Sequence, residues 1–316
     1  MKTRALPMLM VGIMLSGLWL ISSCNKRTNN VVDPPAPINV DSFGESQTLE
    51  VVTWNIENFP KTSDPNDAID GVVGVILGLD ADVYGVQEIT SASAFQDVID
   101  RLNAADSLNS YDGRLNTPNA CTGRQLTGVI FKSNLVSIIS AGPILQDGCD
   151  IFAGRPPFEA YLRATHNRQT FDFYLIVVHL KAFDGVSERA RRTEAIRRIH
   201  NYVEDRTAGG GDPDVIVVGD WNDELDDPDS LNVFSAFLND GADFSFLTEQ
   251  FAGSSTEYSY IGGSFRSLID HILISSSISG TYPAVSTAIL KPDLTFSSYP
   301  SVVSDHRPVG AKIPAF

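Results

Sequence analysis

The sequence predicts an α/β fold, with sheets of mixed strand direction covered by helices in one domain. Three observations carry this. Val215-Ile216-Val217-Val218 is an unbroken branched apolar run, the mark of a strand buried on both faces. From Leu49 onward, strand-like runs alternate with stretches of helical periodicity. Antiparallel pairs interrupt that alternation, which a purely parallel sheet does not permit.

The 316 residues are 43% hydrophobic, enough to bury a substantial core and to exclude wholesale disorder. A formal net charge of −16 argues against a general nucleic-acid coat, because phosphate contacts need local Lys and Arg. It leaves open an enzyme that meets phosphate through a metal ion.

Lys2 and Arg4 give the chain a basic start, followed by an apolar stretch from Leu6 to Ile21 broken by Pro7, Gly12, Ser16 and Gly17. Residues 1–23 are therefore expected to be a signal peptide rather than a spanning helix. Ile21-Ser22-Ser23-Cys24 resembles a bacterial lipoprotein box, the plainer reading being an ordinary secretory signal with a chance Cys. That resemblance implies lipidation at Cys24 and an exported, membrane-anchored protein facing the periplasm or the cell exterior. Residues 24–47, rich in Asn, Pro, Asp and Ser, read as a flexible tether, and 48–316 as the folded domain, expected to be a monomer.

Within that domain Leu49–Asn55 reads as a strand and Ala68–Leu79 as a helix despite three glycines. Val83–Gln87 is a strand and Ala92–Asn103 a helix. Leu126–Phe131 and Leu135–Ile139 read as a hairpin turning near Lys132-Ser133-Asn134. Cys121 and Cys149 lie about equally far from that turn, so the hairpin would set them almost opposite. Export makes a disulfide between them possible, the other reading being two unpaired thiols. Ala160–Thr165 and Phe171–His179 form a second antiparallel pair. Ser187–Glu204 is an amphipathic helix with Ala195, Ile196, Ile199, Tyr202 and Val203 on one side and arginines elsewhere. The Val215 strand ends at Gly219. A long region then runs to Ser264, followed by strands at Ser267–Ile274 and Val309–Ile313.

Polar residues recur where these strands end. The first strand offers Asn55, the second Glu88, and the strand ending Val177-Val178-His179 offers His179. Gly219-Asp220-Trp221-Asn222 offers Asp220 and Asn222, which on an extended backbone would point to the same side. Asp270 sits inside a strand, and Ser304-Asp305-His306 offers Asp305 and His306. Singly, each has a plain reading: a solvated Glu, a core His, an Asx turn. Six such fragments in one chain point to a site.

Trp54-Asn55, Gln87-Glu88, His179-Leu180, Gly219-Asp220-Trp221-Asn222, Ile269-Asp270 and Ser304-Asp305-His306 together resemble the endonuclease/exonuclease/phosphatase superfamily, of which pancreatic deoxyribonuclease is a member. They span 54 to 306, essentially the whole domain. The resemblance implies a four-layer sandwich, two mixed β-sheets face to face with helices outside. It also implies metal-dependent hydrolysis of a phosphate ester, a phosphodiesterase or nuclease first and a lipid or small-molecule phosphoesterase second. By the same resemblance Glu88 is the principal metal ligand, with Asn55 and Asp305 close by. His306, held by Asp270, orients or deprotonates water, and Asp220 shares in activating water or stabilising the leaving group. Asn222 and His179 hydrogen-bond the phosphate. Arg155, in Gly154-Arg155-Pro156-Pro157, is carried over as a weaker phosphate contact.

The chemistry fits independently of the family. A phosphate ester needs its oxygens neutralised, a water oriented and a leaving oxygen stabilised. The candidate ligands are all oxygen donors and no Cys–His set is present, which selects Mg²⁺ or Mn²⁺. Three features depart from the familiar nuclease: Trp221, His271 after Asp270, and an acidic run of Asp223, Glu224, Asp226, Asp227 and Asp229. That run counts against long polyanionic substrates, although a solvated loop explains it most simply. An arginine cluster, Arg189, Arg191, Arg192, Arg197 and Arg198, either flanks a cleft or solvates a helix. Glu57, His166 and His200 read as structural or surface residues, with His200 on the exposed side of the amphipathic helix. A catalytically inactive binding module on the same fold, or a non-enzymatic lipoprotein, remains the contrasting class.

Overall fold

The computed structural model describes residues 38–316. The expected signal peptide, lipidation at Cys24 and most of the tether lie outside these residues. Two six-stranded mixed sheets form the centre. The strands, in chain order, are β1 Leu49–Phe59, β2 Val83–Ile89, β3 Tyr111–Leu115, β4 Leu126–Lys132, β5 Val136–Pro143 and β6 Phe158–His166. They continue as β7 Gln169–His179, β8 Val215–Asp220, β9 Phe244–Phe246, β10 Asp270–Ser275, β11 Ser286–Ile289 and β12 Val309–Ile313. One sheet runs β11-β12-β1-β2-β4-β3 and the other β5-β6-β7-β8-β10-β9.

The sheets face each other through one apolar cluster that draws on both, including Val51, Val83 and Val129 from the first and Leu162, Leu175, Val218 and Ile272 from the second. The helices α1 Pro65–Leu79 and α2 Ala92–Ala105 cover the outer face of the first sheet. Helix α3, Val186–Ala208, covers the second through Ala195, Ile196, Ile199 and Val203. Burying each of the larger aliphatics contributes about 1.5–3 kcal/mol. The result is the expected four layers. Among the described residues, no helix is long and apolar enough to cross a membrane.

Three expectations need correcting. Leu126–Phe131 and Leu135–Ile139 do not pair: β4 lies between β2 and β3, while β5 pairs with β6 in the other sheet. A tight turn, with Leu135 N–H donating to Lys132 O at 3.0 Å, carries the chain from one sheet to the other. Two adjacent apolar runs look alike in one dimension whether they zip together or part company. The fold also begins before residue 48. Phe43 is buried, its N–H donates to Leu79 O at 2.8 Å, and Ile38 and Val40 pack on the first cluster. The glycines of α1 explain that approach: a Cβ on Gly78 would stand 2.0 Å from Val40 Cγ2. Finally β3, β9 and β11 were missed, being short, partly polar and at or next to a sheet edge.

Candidate active site

The register of three neighbouring strands builds half of the site. β7 runs parallel to β8 with His179 beside Asp220, and β10 runs antiparallel to β8 with Asp270 beside Asp220. The pairing is close because of Gly219 (φ 156°), where a Cβ would meet Val178 O at 2.1 Å. The strand therefore runs through Gly219 and ends at Asp220.

The other sheet supplies Asn55 and Glu88. Asn55 Nδ2 donates to Asp220 Oδ2 at 3.0 Å and to Glu88 Oε1 at 3.3 Å, so one amide ties the two sheets together at the mouth of the sandwich. The segment before β12 adds Asp305 and His306. His306 Nδ1 is 2.8 Å from Asp270 Oδ2, and its Nε2 is 3.9 Å from both Asp220 Oδ2 and Asp305 Oδ1. Glu88, His179, Asp220, Asn222, Asp305 and His306 line one cleft of about 910 Å³. Asn55 and Asp270 are buried behind its wall.

Backbone strain concentrates at that mouth. Glu57 (φ 37°), Asn58 (φ 47°), Glu88 (φ 64°) and Asn222 (φ 56°) all adopt left-handed conformations, which asparagine tolerates and glutamate does not. Register irregularities at Asn55/Phe59 and Val86/Ile89 fall at the same places, so bulges re-aim these side chains. Each such conformation costs on the order of 1–3 kcal/mol and persists only where its surroundings enforce it. For Glu88, Asn58 N–H does so, donating to Oε2 at 2.8 Å. Asn222 thus departs from the expected extended geometry. Its N–H donates to Asp220 Oδ1 at 3.0 Å and its Nδ2 to Leu180 O at 3.2 Å.

Burial and crowding set the charges. Burial holds His179 well below the usual imidazole range, with Arg155 and His306 adding repulsion. Its Nε2 stands 3.6 Å from both Glu88 Oε1 and Asp220 Oδ2, and its Nδ1 has no hydrogen-bond partner. Asp220 is raised to about 7 by burial and then by the Asp270 carboxylate. Burial likewise raises Asp305 to about 6, against the pull of His306. At His306 burial acts downward, but Asp270, Asp220 and Asp305 outweigh it and lift the imidazole to about 10.

The oxygen donors fit a hard divalent cation. Glu88, Asp220 and Asp305 share the cleft with Glu57, whose Oε2 accepts from Asp305 N–H at 2.9 Å. Crowded carboxylates repel, and a divalent cation relieves that repulsion. Glu57 is a correction: it belongs to the site, and its place two residues after Asn55 was the available signal. Asn55 departs from its expected ligand role, since its Oδ1 accepts from Glu57 N–H at 2.9 Å while its nitrogen faces the carboxylates. Asp220, Asp270 and His306 also bring donor atoms within 4.8 Å of one another. In that group Asp270 Oδ2 and His306 Nδ1 are already committed to each other, which suits an acid–base pair better than a ligand set.

Arg155 lines the cleft, donating from Nη1 to Gln125 Oε1 at 2.6 Å and from Nη2 to Leu180 O at 2.8 Å. Beneath it Cys121 and Cys149 are disulfide-bonded, with Cα atoms 5.4 Å apart, and Gly123 N–H donates to Gly154 O at 3.1 Å. Of the arginine cluster Arg191 lines the cleft, whereas Arg192 is fully buried on Asp223 Oδ2 at 2.7 Å. So neither Arg192 nor Asp223 solvates a surface. His200 is not an exposed helix residue either; it sits 2.8 Å from Asp240 and packs on Phe237 and Phe244. His271 points away from the cleft, between Thr248 Oγ1 and Asp223 O, each at 2.9 Å. Tyr260, which the sequence did not flag, lines the cleft edge-on to His306 at 5.1 Å between ring centres.

A family model described as the endonuclease/exonuclease/phosphatase family matches residues 52–306. The chain belongs to the endonuclease/exonuclease/phosphatase family. That membership supports phosphoester hydrolysis in general. Among solved structures the fold is similar to TDP2 of D. rerio complexed with a single-strand DNA product, at 18% identity and TM-score 0.58, covering 84% of this chain and 98% of that one. The human Nocturnin catalytic domain with bound sulfate is similar at 17% identity and TM-score 0.59, covering 88% and 98%. A mannosyl-6-phosphatase of Bacteroides thetaiotaomicron is similar at 15% identity and TM-score 0.55, covering 83% and 98%. At these identities the likeness shows the fold. Among curated proteins none matches the chain.

Proposed function

We propose that this family member is a Mg²⁺- or Mn²⁺-dependent hydrolase of phosphate esters, acting as a phosphodiesterase. One observation carries the reading: the His306–Asp270 pair, at 2.8 Å, opens onto a cleft that also holds Asp220 and Glu88. When bound, the cation neutralises phosphate oxygens. Glu88 and Asp305, with Glu57 beside them, would hold it. His179, kept neutral by burial, donates from Nε2 toward the phosphate. Asn222 lines the same wall and gives a neutral donor. Asp220, raised to about 7, takes the proton of the attacking water, since a base works best with a pKa near the operating pH. His306 is held protonated by Asp270 and donates from Nε2 to the phosphate, and as the ester P–O bond breaks the leaving oxygen takes a proton from solvent. This reverses the protonation first expected of His306, in which its basic form takes up the proton. Arg155 supplies a fixed positive charge.

The test is a metal-dependent activity screen on plasmid DNA, RNA, a phosphoinositide, sphingomyelin and nitrophenyl phosphates. Turnover of at least one ester, abolished by chelator, is the expected result. No turnover on any of them, or full activity in excess chelator, overturns the reading.

From the sequence alone we also infer that Cys24 anchors the protein to a membrane on the periplasmic or outer side. Cys24→Ala should release it to a soluble fraction or leave an unprocessed precursor. Unchanged size and membrane attachment refute this.

A further inference from the structure

Eight large apolar side chains are exposed among the described residues, and scattered exposure of this kind is ordinary. Two of the eight are phenylalanines, Phe183 at 76% exposure and Phe265 at 70%, and both lie on the wall of the cleft that holds His179 and His306. They come from different parts of the chain. Phe183 sits in the loop between β7 and α3, and Phe265 in the turn that precedes β10.

Neither sits on a loosely held backbone. Phe183 has φ 78°, a left-handed conformation that a bulky aromatic residue avoids unless it is forced. What forces it is the buried Arg192. Its Nη1 donates to Lys181 O and to Phe183 O, each at 2.7 Å, while its Nε is anchored on Asp223. A buried ion pair therefore holds a strained loop that presents an apolar ring to water. Lys181 Nζ stands 4.8 Å from the centre of that ring. The Phe265 turn is closed by the Tyr260–Ser267 bridge. Phe265 N–H donates to Gly262 O at 3.2 Å, and Arg266 Nη1 donates to Ile261 O at 3.1 Å. Exposing two rings, one on a strained loop and the other on a hydrogen-bonded turn, has no use in stability. It has one in recognition.

We propose that Phe183 and Phe265 form an aromatic rim that stacks on a planar ring carried by the substrate, so that the site takes ring-bearing phosphate esters of nucleotide size. This rests on the phosphoesterase reading above. Stacking against an aromatic side chain tolerates any base, because each offers a π-face. The cleft volume of about 910 Å³ matches a small-molecule site. The net charge of −16 disfavours following a long polyanion.

The experiment is titration of the full chain, in Mg²⁺, with adenosine 5′-monophosphate and with ribose 5-phosphate, followed by calorimetry. The two ligands share the phosphate and sugar and differ in the ring. The expected result is a preference of at least about fivefold for the ring-bearing ligand, the lower end of one base–aromatic contact. That preference should fall to within about twofold in Phe183→Ala/Phe265→Ala and survive in Phe183→Tyr. Equal binding of the two ligands, binding of neither, or an intact preference in the double variant overturns the proposal. Ester hydrolysis by the same samples is assayed separately. Hydrolysis without a ring preference defeats the rim alone, and a rim-dependent preference without hydrolysis defeats the phosphoesterase reading alone.

Discussion

His306 Nδ1 lies 2.8 Å from Asp270 Oδ2, and the contact crosses from the segment leading into one sheet to a strand of the other. It therefore exists only when both sheets are in place. It also fixes the ring, leaving Nε2 for the cleft.

The first prediction concerns this pair. Asp270→Asn keeps the shape but removes the largest influence raising the His306 pKa, which the pair holds at about 10. His306 should then lose its proton at lower pH, and the alkaline limb of the pH–rate profile should move down. The maximal rate should drop about ten- to a thousandfold, the contribution of a positioned acid–base group. Imidazole shifts followed by NMR against pH check the same change without turnover. An unmoved His306 titration sinks the assignment.

Glu88→Ala should remove the principal cation ligand and also the acceptor of Asn58 N–H that helps hold the left-handed backbone there, so the fold should survive with a stability loss of about 1–3 kcal/mol. Activity should fall by at least about a hundredfold, the scale for loss of one placed electrostatic group. Calorimetric Mn²⁺ binding should weaken in parallel, in a variant that a modestly lowered Tm still shows to be folded. Wild-type Mn²⁺ affinity in this variant contradicts the ligand role.

Much of this was legible because strand periodicity and strand-end chemistry are local. Val215–Val218 reads as buried from its own composition, and Asp220 after it reads as a strand-end carboxylate. Which sheet a strand joins is not local. β4 and β5 adjoin in sequence and separate in space, so the hairpin expected there does not form. The disulfide expected from that hairpin is present, but the loops around Gly123 and Gly154 bring the cysteines together. Glu57 escaped notice because it rides on a bulge, where alternation fails as a guide. His200 looked exposed because helix periodicity does not reveal that Phe237 and Phe244, far along the chain, will cover it.

The third prediction follows the disulfide to the cleft. Cys121–Cys149 closes a separation of 28 residues and pins the loops that carry Gln125 and Arg155. Gln125 Nε2 donates in turn to Asn58 Oδ1 at 2.8 Å, and Asn58 holds Glu88. Cys121→Ser/Cys149→Ser should lose about 2–4 kcal/mol of stability. It should also raise KM more than it lowers kcat, since Arg155 loosens while His306 and Asp270 stay paired. An unaltered KM separates the disulfide from the site.

The last prediction uses a histidine outside the cleft. His271 is wholly buried, and burial pushes its pKa from 6.5 down to about 4, with Asp223 O and Asp270 opposing. The neutral form is therefore favoured in the fold, while the unfolded chain takes up a proton first as the pH drops. The sign follows: His271 adds no pH dependence above about 6.5, and stability is lost as the pH falls from there to about 4. A shift of this size corresponds to about 3 kcal/mol. His179, also held low by burial, contributes in the same direction, so the informative quantity is the difference between proteins. Urea midpoints for wild type and His271→Gln should diverge in slope between pH 6.5 and 4, with wild type falling more steeply. His179→Gln should reduce the slope as well, but with loss of activity. Parallel midpoints across that window mean that His271 titrates as freely in the fold as in the open chain, and the burial argument fails.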